Sequence, residues 1–336
     1  MLKSLLCGLF AGLCSQGAAH AGDYLEYEEL QALINQTVEE KVYTREELEA
    51  LFSQVSRLDN VLTAIARPAE SKEWRNYRPN FLTAERIDGG LAFWEEHRES
   101  LEKAEKEFGV PIPVIIAIIG VETRYGRNKG NFRVLESLTT LAMDYPPRAP
   151  FFRKELREFL KLSQQEGISP WDTRGSYAGA MGLPQFMPSS WSNLAVDYDG
   201  DGKRDLLNNP VDAIGSVANY FQKNGWQPDA AVAFKAHIQG QDYDSATTTD
   251  LKTASTLGQL REKGLTIEAS LPDMTPASAL RLQGEHGGEF WITLDNFYVI
   301  TRYNRSNLYA MAVWQLSEAI RQEHEKVTAP PQAPTQ

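Results

Sequence analysis

The sequence predicts a mainly α-helical protein of the α+β class, with a small β module inserted near its C-terminal end. Apolar residues recur at intervals of three and four along most of residues 27–224, which is the pattern of amphipathic helices. Between Gln239 and Gly288 the composition turns to Thr, Ser, Asp and Gly, and 290–303 then reads as an aromatic-rich strand. With 336 residues, 42% of them hydrophobic, the chain can bury a large core and should form about two or three domains.

Residues 1–21 have the layout of a cleavable secretory signal, so we expect the mature chain to begin at Gly22. The apolar run from Leu5 to Cys14 is about half the length that spans a bilayer, and no stable membrane anchor is expected. Cys7 and Cys14 each follow Leu rather than the small residue of a lipoprotein cleavage site. Both cysteines would leave with the signal, so no disulfide would hold the mature fold together.

The chain is acidic, with 34 Lys and Arg against 45 Asp and Glu and a formal charge of -11. This charge repels polyanions, and because the sequence contains no basic stripe, we expect no nucleic-acid partner. The histidines of the mature chain lack the spacing of metal ligands, which gives no support for a zinc centre. They are His97, His237, His286 and His324.

The N-terminal region, residues 22–109, is predicted to be a helical domain. Its first part, 27–65, reads as a pair of amphipathic helices, with a capping box in the sequence TREE at 44–47. A further helical stretch covers about 83–108, and Gly109 ends it.

The next region, residues 110–228, is predicted to be the central domain. The segment PVIIAIIGV at 113–121 is apolar on every side, which predicts a helix buried in the core. Helical periodicity continues through 132–166, breaks in the Gly-rich stretch 175–182, and resumes over 210–224.

Three smaller segments complete the predicted organisation. Residues 229–303 form the β-containing module. Residues 304–326 contain a last helix, from Tyr309 to about 322, that packs back on the helical domain. Residues 327–336 are rich in proline and are predicted to be disordered.

Glu122 is the single carboxylate at the end of the wholly apolar helix. Burial and the negative end of the helix dipole both disfavour its charged form. A carboxyl that stays protonated near neutral pH is what a general acid requires. An ion pair with Arg124 or Arg127 is the alternative that the spacing alone leaves open.

Four motifs then occur in one order along the chain. They are GVETRYG at 120–126, GSYAGAMGLPQFMPSSW at 175–191, VDYDGDGKRDL at 196–206 and RYNRS at 302–306. Together they resemble the membrane-bound lytic murein transglycosylase B family of exported enzymes, and the resemblance spans roughly residues 22–320. It implies a lysozyme-like helical core with flanking helices. The family's namesake is a lipoprotein, whereas this chain has no usable lipidation cysteine and looks like a soluble periplasmic form.

The resemblance makes Glu122 the sole catalytic acid and base. It implies cleavage of the β-1,4 bond between N-acetylmuramic acid and N-acetylglucosamine in peptidoglycan without water, giving 1,6-anhydromuramic acid ends. Glu122 would protonate the glycosidic oxygen, the acetamido group would stabilise C1, and the C6 hydroxyl of the same sugar would attack. Peptidoglycan strands are the expected partner, cell-wall synthases are candidate partners, and no organic cofactor is expected.

Two other functions remain open from the sequence: a lysozyme-type hydrolase, in which water attacks, and a noncatalytic peptidoglycan-binding protein. Ordinary glycosidases need two carboxylates, and Asp144 and Asp172 are the candidates for a second acid. Each is more typical of a residue that caps a turn or a helix. The intact Glu122, Ser176 and Gln185 argue against the noncatalytic reading.

The resemblance also implies which residues hold the glycan. Ser176 would orient Glu122 or the acetamido group, and Gln185 would hydrogen-bond to sugar. Aromatic rings offer flat apolar surfaces to sugars, although a Tyr at helical spacing is also a common core residue. Arg148 would meet the acidic peptide stem or lie solvated. Further positions that match cleft residues of the family are Tyr77, Tyr220, Tyr303, Asn304 and Tyr309.

The segment DYDGDGK at 197–203 has oxygen ligands at positions 1, 3 and 5 of a loop like that of an EF-hand. Position 12 is Asn208 rather than the bidentate Glu, and the resemblance implies that Asp212 closes the site. The alternative role of Asp212 is to stabilise a helix N-terminus. Carboxylates so close together would repel one another without a cation, which predicts a structural Ca²⁺ ion. The predicted ligands are Asp197, Asp199, Asp201, the backbone carbonyl of Lys203, and Asp212.

Overall fold

The computed structural model describes residues 23–66 and 72–329. The predicted signal sequence, 1–21, and residues 330–336 of the predicted disordered tail lie outside these ranges. Of the helices within them, none combines the length and the apolar character that crossing a bilayer requires.

Helices make up most of the described chain, and the prediction of a mainly helical α+β protein with a lysozyme-like fold is confirmed. The helices are α1 (Glu28–Glu39), α2 (Arg45–Phe52), α3 (Asp59–Ile65), α4 (Trp74–Tyr77), α5 (Ala84–Glu96), α6 (Arg98–Phe108), α7 (Ile112–Thr123), α8 (Val134–Asp144), α9 (Ala149–Glu166), α10 (Pro188–Leu194), α11 (Pro210–Lys223), α12 (Leu257–Glu262), α13 (Asp295–Tyr303) and α14 (Asn307–Thr328).

The strands are short and pair antiparallel. They are β1 (Phe132–Arg133), β2 (Arg174–Gly175), β3 (Ala233–Lys235), β4 (His237–Ile238), β5 (Ser255–Thr256), β6 (Leu265–Thr266), β7 (Pro276–Gly284) and β8 (Gly287–Thr293). A four-stranded sheet in the order β3-β8-β7-β5 forms the body of the β module, beside the β4-β6 pair. The β1-β2 pair instead joins the start of α8 to the Gly-rich stretch that follows α9.

The N-terminal segment 27–65 folds as three helices rather than the predicted pair. The predicted capping box is present, because the Thr44 hydroxyl accepts the N–H of Glu47 at 3.2 Å and the Glu47 carboxylate accepts the N–H of Thr44 at 2.8 Å. The helix that it starts ends at Phe52, and Val55 in the irregular segment that follows is fully buried.

The prediction of a strand over 290–303 is wrong beyond Thr293, because α13 begins at Asp295. Aromatic and β-branched residues favour a strand locally. In the fold, however, Phe297 and Ile300 lie three residues apart on one helical face and are buried in the core that contains α7 and α14. Packing therefore overrides the local preference. The last helix also continues to Thr328, two residues into the segment that was predicted to be disordered.

Two large apolar cores organise the helices. The first contains side chains of α4–α7, α11, α13 and α14, and the second contains those of α1–α3 and α8–α10. The predicted domain 22–109 is divided between these two cores. Residues 24–61 pack in the second core, and residues 74–108 pack in the first. Tyr303 contacts both, and the loop 181–186 contributes side chains to each. A smaller third core lies inside the β module.

The predicted buried helix is α7, in which every residue except Glu122 is buried. It ends in three consecutive left-handed residues, with φ of 51° at Arg124, 60° at Tyr125 and 83° at Gly126. A left-handed residue stops an α-helix and turns the chain away from its axis. Glu122 is therefore held in the last turn of α7, close to the point where the chain leaves the core.

The ring of Tyr125 fixes this helix end because it lies in a cradle of three glycines. A Cβ atom would lie 2.8 Å from the ring at Gly89, and 2.9 Å and 2.6 Å from the phenol oxygen at Gly90 and Gly120. The Tyr125 hydroxyl donates to the carbonyl of Arg86 at 2.6 Å. Because the glycines have no side chains, the backbones of α5 and α7 both pack directly against the ring and lie close to each other.

The substitution Gly120→Ala should lower the free energy of unfolding by about 2 kcal/mol, because the new methyl group must displace the Tyr125 ring. In an open helix the same change would stabilise by up to about 1 kcal/mol, so the sign is diagnostic. Chemical denaturation measures it. In a Tyr125→Leu background, where the obstructing ring is absent, the cost should fall, and an unchanged cost would contradict this explanation.

Candidate active site

Glu122 is half-buried at the end of α7, and its Oε1 accepts a hydrogen bond of 2.5 Å from the hydroxyl of Tyr309. Burial raises the pKa of Glu122 to about 7, and the hydrogen bond from Tyr309 opposes that rise. The ion pair left open by the sequence is not formed in the described chain, because Arg124 is exposed and Arg127 lies 3.7 Å from Glu85. The carboxyl is therefore mainly neutral at pH values below about 7. Because it is only half-buried, a ligand can still reach it.

Tyr309 holds this carboxyl from the first turn of α14. It is only 3% exposed, and burial followed by the nearby charge of Glu122 raises its pKa well above the usual range, so it remains a hydrogen-bond donor. The sequence predicted a sugar contact for Tyr309. In the structure its hydroxyl donates to the acid, and the sugar contact stays a prediction.

Tyr220 and Tyr303 form an aromatic wall beside the acid. Their ring centroids are 4.7 Å apart, and the charge of Glu122 is one cause of the raised pKa of Tyr303. Tyr303 donates to the carbonyl of Pro184 at 2.6 Å, and Tyr220 donates to that of Arg302 at 2.6 Å. Because both hydroxyls are bound to the backbone, their half-buried ring surfaces are the parts left to contact a ligand.

Tyr77 belongs to the same neighbourhood. Its ring stacks with Trp74 and packs 4.9 Å from Phe81, and it is close enough to Tyr309 to influence the pKa of that phenol. The structure thus brings Tyr77, predicted from a short motif alone, to the same side of the core as Glu122.

The two polar residues predicted to bind sugar lie in the Gly-rich loop and in the turn that follows it. Ser176 Oγ accepts the N–H groups of Ala178 at 3.3 Å and Ala180 at 3.0 Å, so the proton of its hydroxyl is still available to a ligand. Gln185 Nε2 donates to the carbonyls of Lys129 at 3.1 Å and Gly182 at 2.9 Å, which leaves the amide oxygen to accept. Gln185 also has a positive φ of 50°, a strained value that the surrounding bonds maintain.

The remaining predicted residues, Asn304 and Arg148, are both exposed. Asn304 is exposed at the end of α13, next to Tyr303. Arg148 is exposed and lies 4.5 Å from the ring of Phe151 and 5.2 Å from that of Phe152. These contacts place it beside α9, next to the second core, and its contact with the peptide stem stays a prediction.

The two candidates for a second acid have structural partners. Asp144 accepts hydrogen bonds from Tyr24 at 2.6 Å and Tyr27 at 3.3 Å. Asp172 closes its own turn with Ser169, whose hydroxyl donates to it at 2.9 Å. The interpretation as a cap agrees with the contacts of Asp172, whereas Asp144 binds two tyrosine hydroxyls from the N-terminal segment instead of capping a turn or a helix.

Two buried residues that sequence reasoning missed support the acid. Thr123 donates to the carbonyl of Leu183 at 2.8 Å, and Leu183 N–H donates to the carbonyl of Leu206 at 2.9 Å. The Arg86 guanidinium donates to the carbonyl of Gly120, where its charge opposes the negative end of the α7 dipole. The partners are 60 and 34 residues apart in sequence, and no local pattern relates them.

Three of the predicted calcium ligands converge. One carboxylate oxygen from each of Asp197, Asp199 and Asp212 lies within 4.8 Å of the others. Calcium binds oxygens at about 2.3 to 2.6 Å, so ligands around one ion can lie this far apart. Asp201 is outside the group, and its Oδ1 accepts the N–H of Lys203 at 2.8 Å.

The loop is already arranged by hydrogen bonds to these carboxylates. Asp197 accepts the N–H of Gly202 at 2.8 Å. Asp212 is fully buried and accepts the N–H groups of Tyr198 at 2.7 Å and Asp205 at 2.8 Å, and burial raises its pKa. The donor set is all carboxylate oxygen, which fits a hard cation such as Ca²⁺.

Comparison with known proteins identifies the family. The model of the transglycosylase SLT domain matches residues 26–318. Membrane-bound lytic murein transglycosylase B of Escherichia coli strain K12 is 41% identical over 309 residues, covering 89% of this chain and 84% of that protein.

Solved structures agree. Lytic transglycosylase SltB1 of Pseudomonas aeruginosa superposes with a TM-score of 0.85 at 48% identity, covering 90% of this chain and 99% of that one. Lytic transglycosylase Slt35 of Escherichia coli in complex with calcium superposes with a TM-score of 0.84 at 41% sequence identity. The match covers 91% of this chain and 96% of that one. The chain therefore belongs to the transglycosylase SLT domain family, and it is a peptidoglycan lytic transglycosylase.

Proposed function

We propose that Glu122 is the sole acid and base with which this enzyme cleaves the β-1,4 bond between N-acetylmuramic acid and N-acetylglucosamine in peptidoglycan. The observation that carries the proposal is one accessible carboxyl with a pKa of about 7, held by Tyr309 beside an aromatic wall. A group with this pKa can both donate and accept a proton near neutral pH.

The reaction needs only one carboxyl. Glu122 protonates the bridging oxygen as its bond to C1 of the muramic acid breaks, and the acetamido group of the same sugar stabilises C1. The resulting carboxylate then takes the proton of the C6 hydroxyl as O6 bonds to C1. Protons and bonds balance without water, and the product ends in 1,6-anhydromuramic acid.

The surroundings of Glu122 support this route over a two-carboxylate hydrolysis. Retaining and inverting glycosidases place a second carboxyl about 5 to 9.5 Å from the first. Asp144 is bonded to the Tyr24 hydroxyl and Asp172 caps its own turn, and burial with the Tyr309 bond accounts for the pKa of Glu122 without another acid.

We assign the glycan contacts to groups that the fold leaves free. The hydroxyl proton of Ser176 is available to the acetamido oxygen, and the amide oxygen of Gln185 is available to a sugar hydroxyl. The half-buried rings of Tyr220 and Tyr303 offer flat apolar surface, and the exposed Asn304 lies next to them. Tyr77 extends this surface on the side of Tyr309.

We further propose that the enzyme works in the periplasm after removal of residues 1–21, and that one Ca²⁺ ion has a structural role at Asp197, Asp199 and Asp212. The support for the ion is the convergence of three carboxylates, together with the calcium complex of Slt35. An ion there would offset the repulsion of these carboxylates and would take no part in bond cleavage.

Mass spectrometry of fragments released from purified murein tests the function. The mature protein should release fragments lighter by one water than hydrolytic products, and Glu122→Gln should release none. Asp172→Asn, which alters a turn cap only, should still release the anhydro fragments. Reducing ends in the products would identify a hydrolase instead.

The pH profile tests the role assigned to Tyr309. Because Glu122 must be protonated for the first step, kcat/KM should decline as pH rises past about 7. The Tyr309→Phe substitution removes a hydrogen bond that favours the charged carboxylate, so the pKa of Glu122 rises and the decline moves to higher pH. Loss of orientation should lower kcat by about tenfold. Tyr220→Phe, which loses a hydroxyl bonded to the backbone, should leave the position of the decline unchanged, and a profile unmoved by Tyr309→Phe would contradict the assignment.

Calorimetric melting tests the calcium site. At a free concentration about 100-fold above its Kd, Ca²⁺ should stabilise the protein by roughly 2.7 kcal/mol, and a chelator should reverse the effect. Asp199→Asn should abolish the response to calcium, whereas Asp88→Asn, on the exposed face of α5, should retain it. A wild-type melting temperature that changes with neither calcium nor chelator would contradict the proposed calcium site.

A further inference from the structure

A turn at 205–208 follows the calcium loop and is held by one of the proposed calcium ligands. The N–H of Asp205 donates to Oδ2 of Asp212 at 2.8 Å. Asp205 in turn accepts the N–H groups of Leu207 at 2.9 Å and Asn208 at 3.0 Å through its own Oδ1. The position of this turn therefore depends on the carboxylates to which we assign the ion.

Lys129 connects this turn to a residue that we assign to the sugar. Its ammonium group donates to the carbonyl of Leu207 at 2.6 Å, and its own backbone carbonyl accepts a hydrogen bond from Nε2 of Gln185 at 3.1 Å. The Lys129 side chain is half-buried, so water competes less for its hydrogen bond. A series of hydrogen bonds thus runs from Asp212, through the turn and Lys129, to Gln185.

The next residue, Gly130, packs directly against the second sugar-binding residue. It has a φ of 90°, and a Cβ atom there would lie 2.6 Å from the backbone nitrogen of Ser176 and closer still to the carbonyl of Gly175. Such a close backbone contact at a positive φ requires glycine. The segment 129–130 therefore contacts both residues, Ser176 and Gln185, whose polar groups we assign to the glycan.

Side-chain packing leaves a gap beside this connection. A cavity of about 470 Å³ is lined by the segment 129–130, by Leu207 and Asn208, and by residues of 168–174, which lead into the Gly-rich stretch. Because this space is not filled by side chains, the bond between Lys129 and Leu207 determines how closely the turn and the sugar-binding residues stay together.

We propose that Lys129 couples the calcium site to the sugar-binding residues, so that Ca²⁺ and the glycan strand bind cooperatively. The proposal rests on the proposed function, since it takes the ion to bind at Asp197, Asp199 and Asp212 and the glycan to bind at Ser176 and Gln185. It makes Lys129 a positioning residue, and it gives the ion an effect on substrate affinity.

The coupling arises from the order of the turn. Without the ion, repulsion among the carboxylates loosens the turn, and Lys129 loses a fixed acceptor. Ser176 and Gln185 must then be ordered when the sugar binds, which is unfavourable. An ion that has already ordered the turn removes this unfavourable contribution, and by linkage the glycan strengthens binding of the ion by the same factor.

Isothermal titration of the mature Glu122→Gln protein measures the coupling, because this variant is expected to bind the strand without cleaving it. The probe is a tetrasaccharide made of two murein disaccharide repeats, titrated once with saturating Ca²⁺ and once with a chelator. Calcium should lower the Kd of the tetrasaccharide about tenfold, and saturating tetrasaccharide should lower the Kd of Ca²⁺ by the same factor.

Two matched lysine variants in the Glu122→Gln background test the role of Lys129. Lys129→Met should still bind both ligands, but the factor should fall below about twofold because the bond to Leu207 is lost. Lys154→Met removes the same charge from an exposed position on α9 and should keep the full factor. A lysine that only stabilises the fold would change the melting temperature and leave the coupling factor unchanged.

The results that overturn the proposal differ from those that overturn the proposed function. Equal Kd values for the tetrasaccharide with and without Ca²⁺ would overturn the coupling, and so would a tenfold factor that survives Lys129→Met. The absence of any binding heat for Ca²⁺ would overturn it as well. Failure of the proposed function is instead seen with the wild type, which would then release no anhydro fragments from murein.

Discussion

The partial burial of one carboxyl at the end of an apolar helix is the constraint on which the rest of the site depends. Glu122 is the only residue of α7 that is not buried, and its hydrogen bond joins residues 187 positions apart. Desolvation of a carboxyl disfavours its charged form. The fold keeps Glu122 desolvated because α14 and α5 pack against α7. The close packing of Tyr125 against glycines is thus a requirement of the active site as much as of the core.

The calcium loop and the acid are connected through one short segment. Thr123, beside Glu122, is bonded to Leu183, which is bonded in turn to Leu206, and the next residue back along the chain, Asp205, donates to Asp212. Gln185 and the carbonyl that receives the Tyr303 hydroxyl belong to the same turn. An ion that stabilises the carboxylate cluster would therefore also stabilise this chain of hydrogen bonds, which ends at Thr123 beside Glu122. The ion would do so without contacting the reacting atoms.

Structural features that depend on the spacing of neighbouring residues can be predicted from this sequence. Features that depend on contacts between distant segments cannot. The capping box at Thr44 and the buried helix with its acid depend on spacing within one turn or one run of apolar residues, so the sequence was sufficient. The sequence predicts a strand where the helix at 295–303 lies, because the buried face of this helix is defined by a core built from other segments. The contact of Tyr309 with Glu122 likewise arises only when segments far apart in sequence meet.

The central claim is that the sugar's own hydroxyl, rather than water, attacks C1 after Glu122 has protonated the leaving oxygen. Digestion of purified murein by the mature protein in water enriched in oxygen-18 tests this most directly, with mass spectrometry of the new muramic acid ends. The account predicts no oxygen-18 in those ends, because O6 of the same sugar forms the new bond to C1. Incorporation of one heavy oxygen at C1 would show that water attacks, and it would contradict the single-carboxyl mechanism.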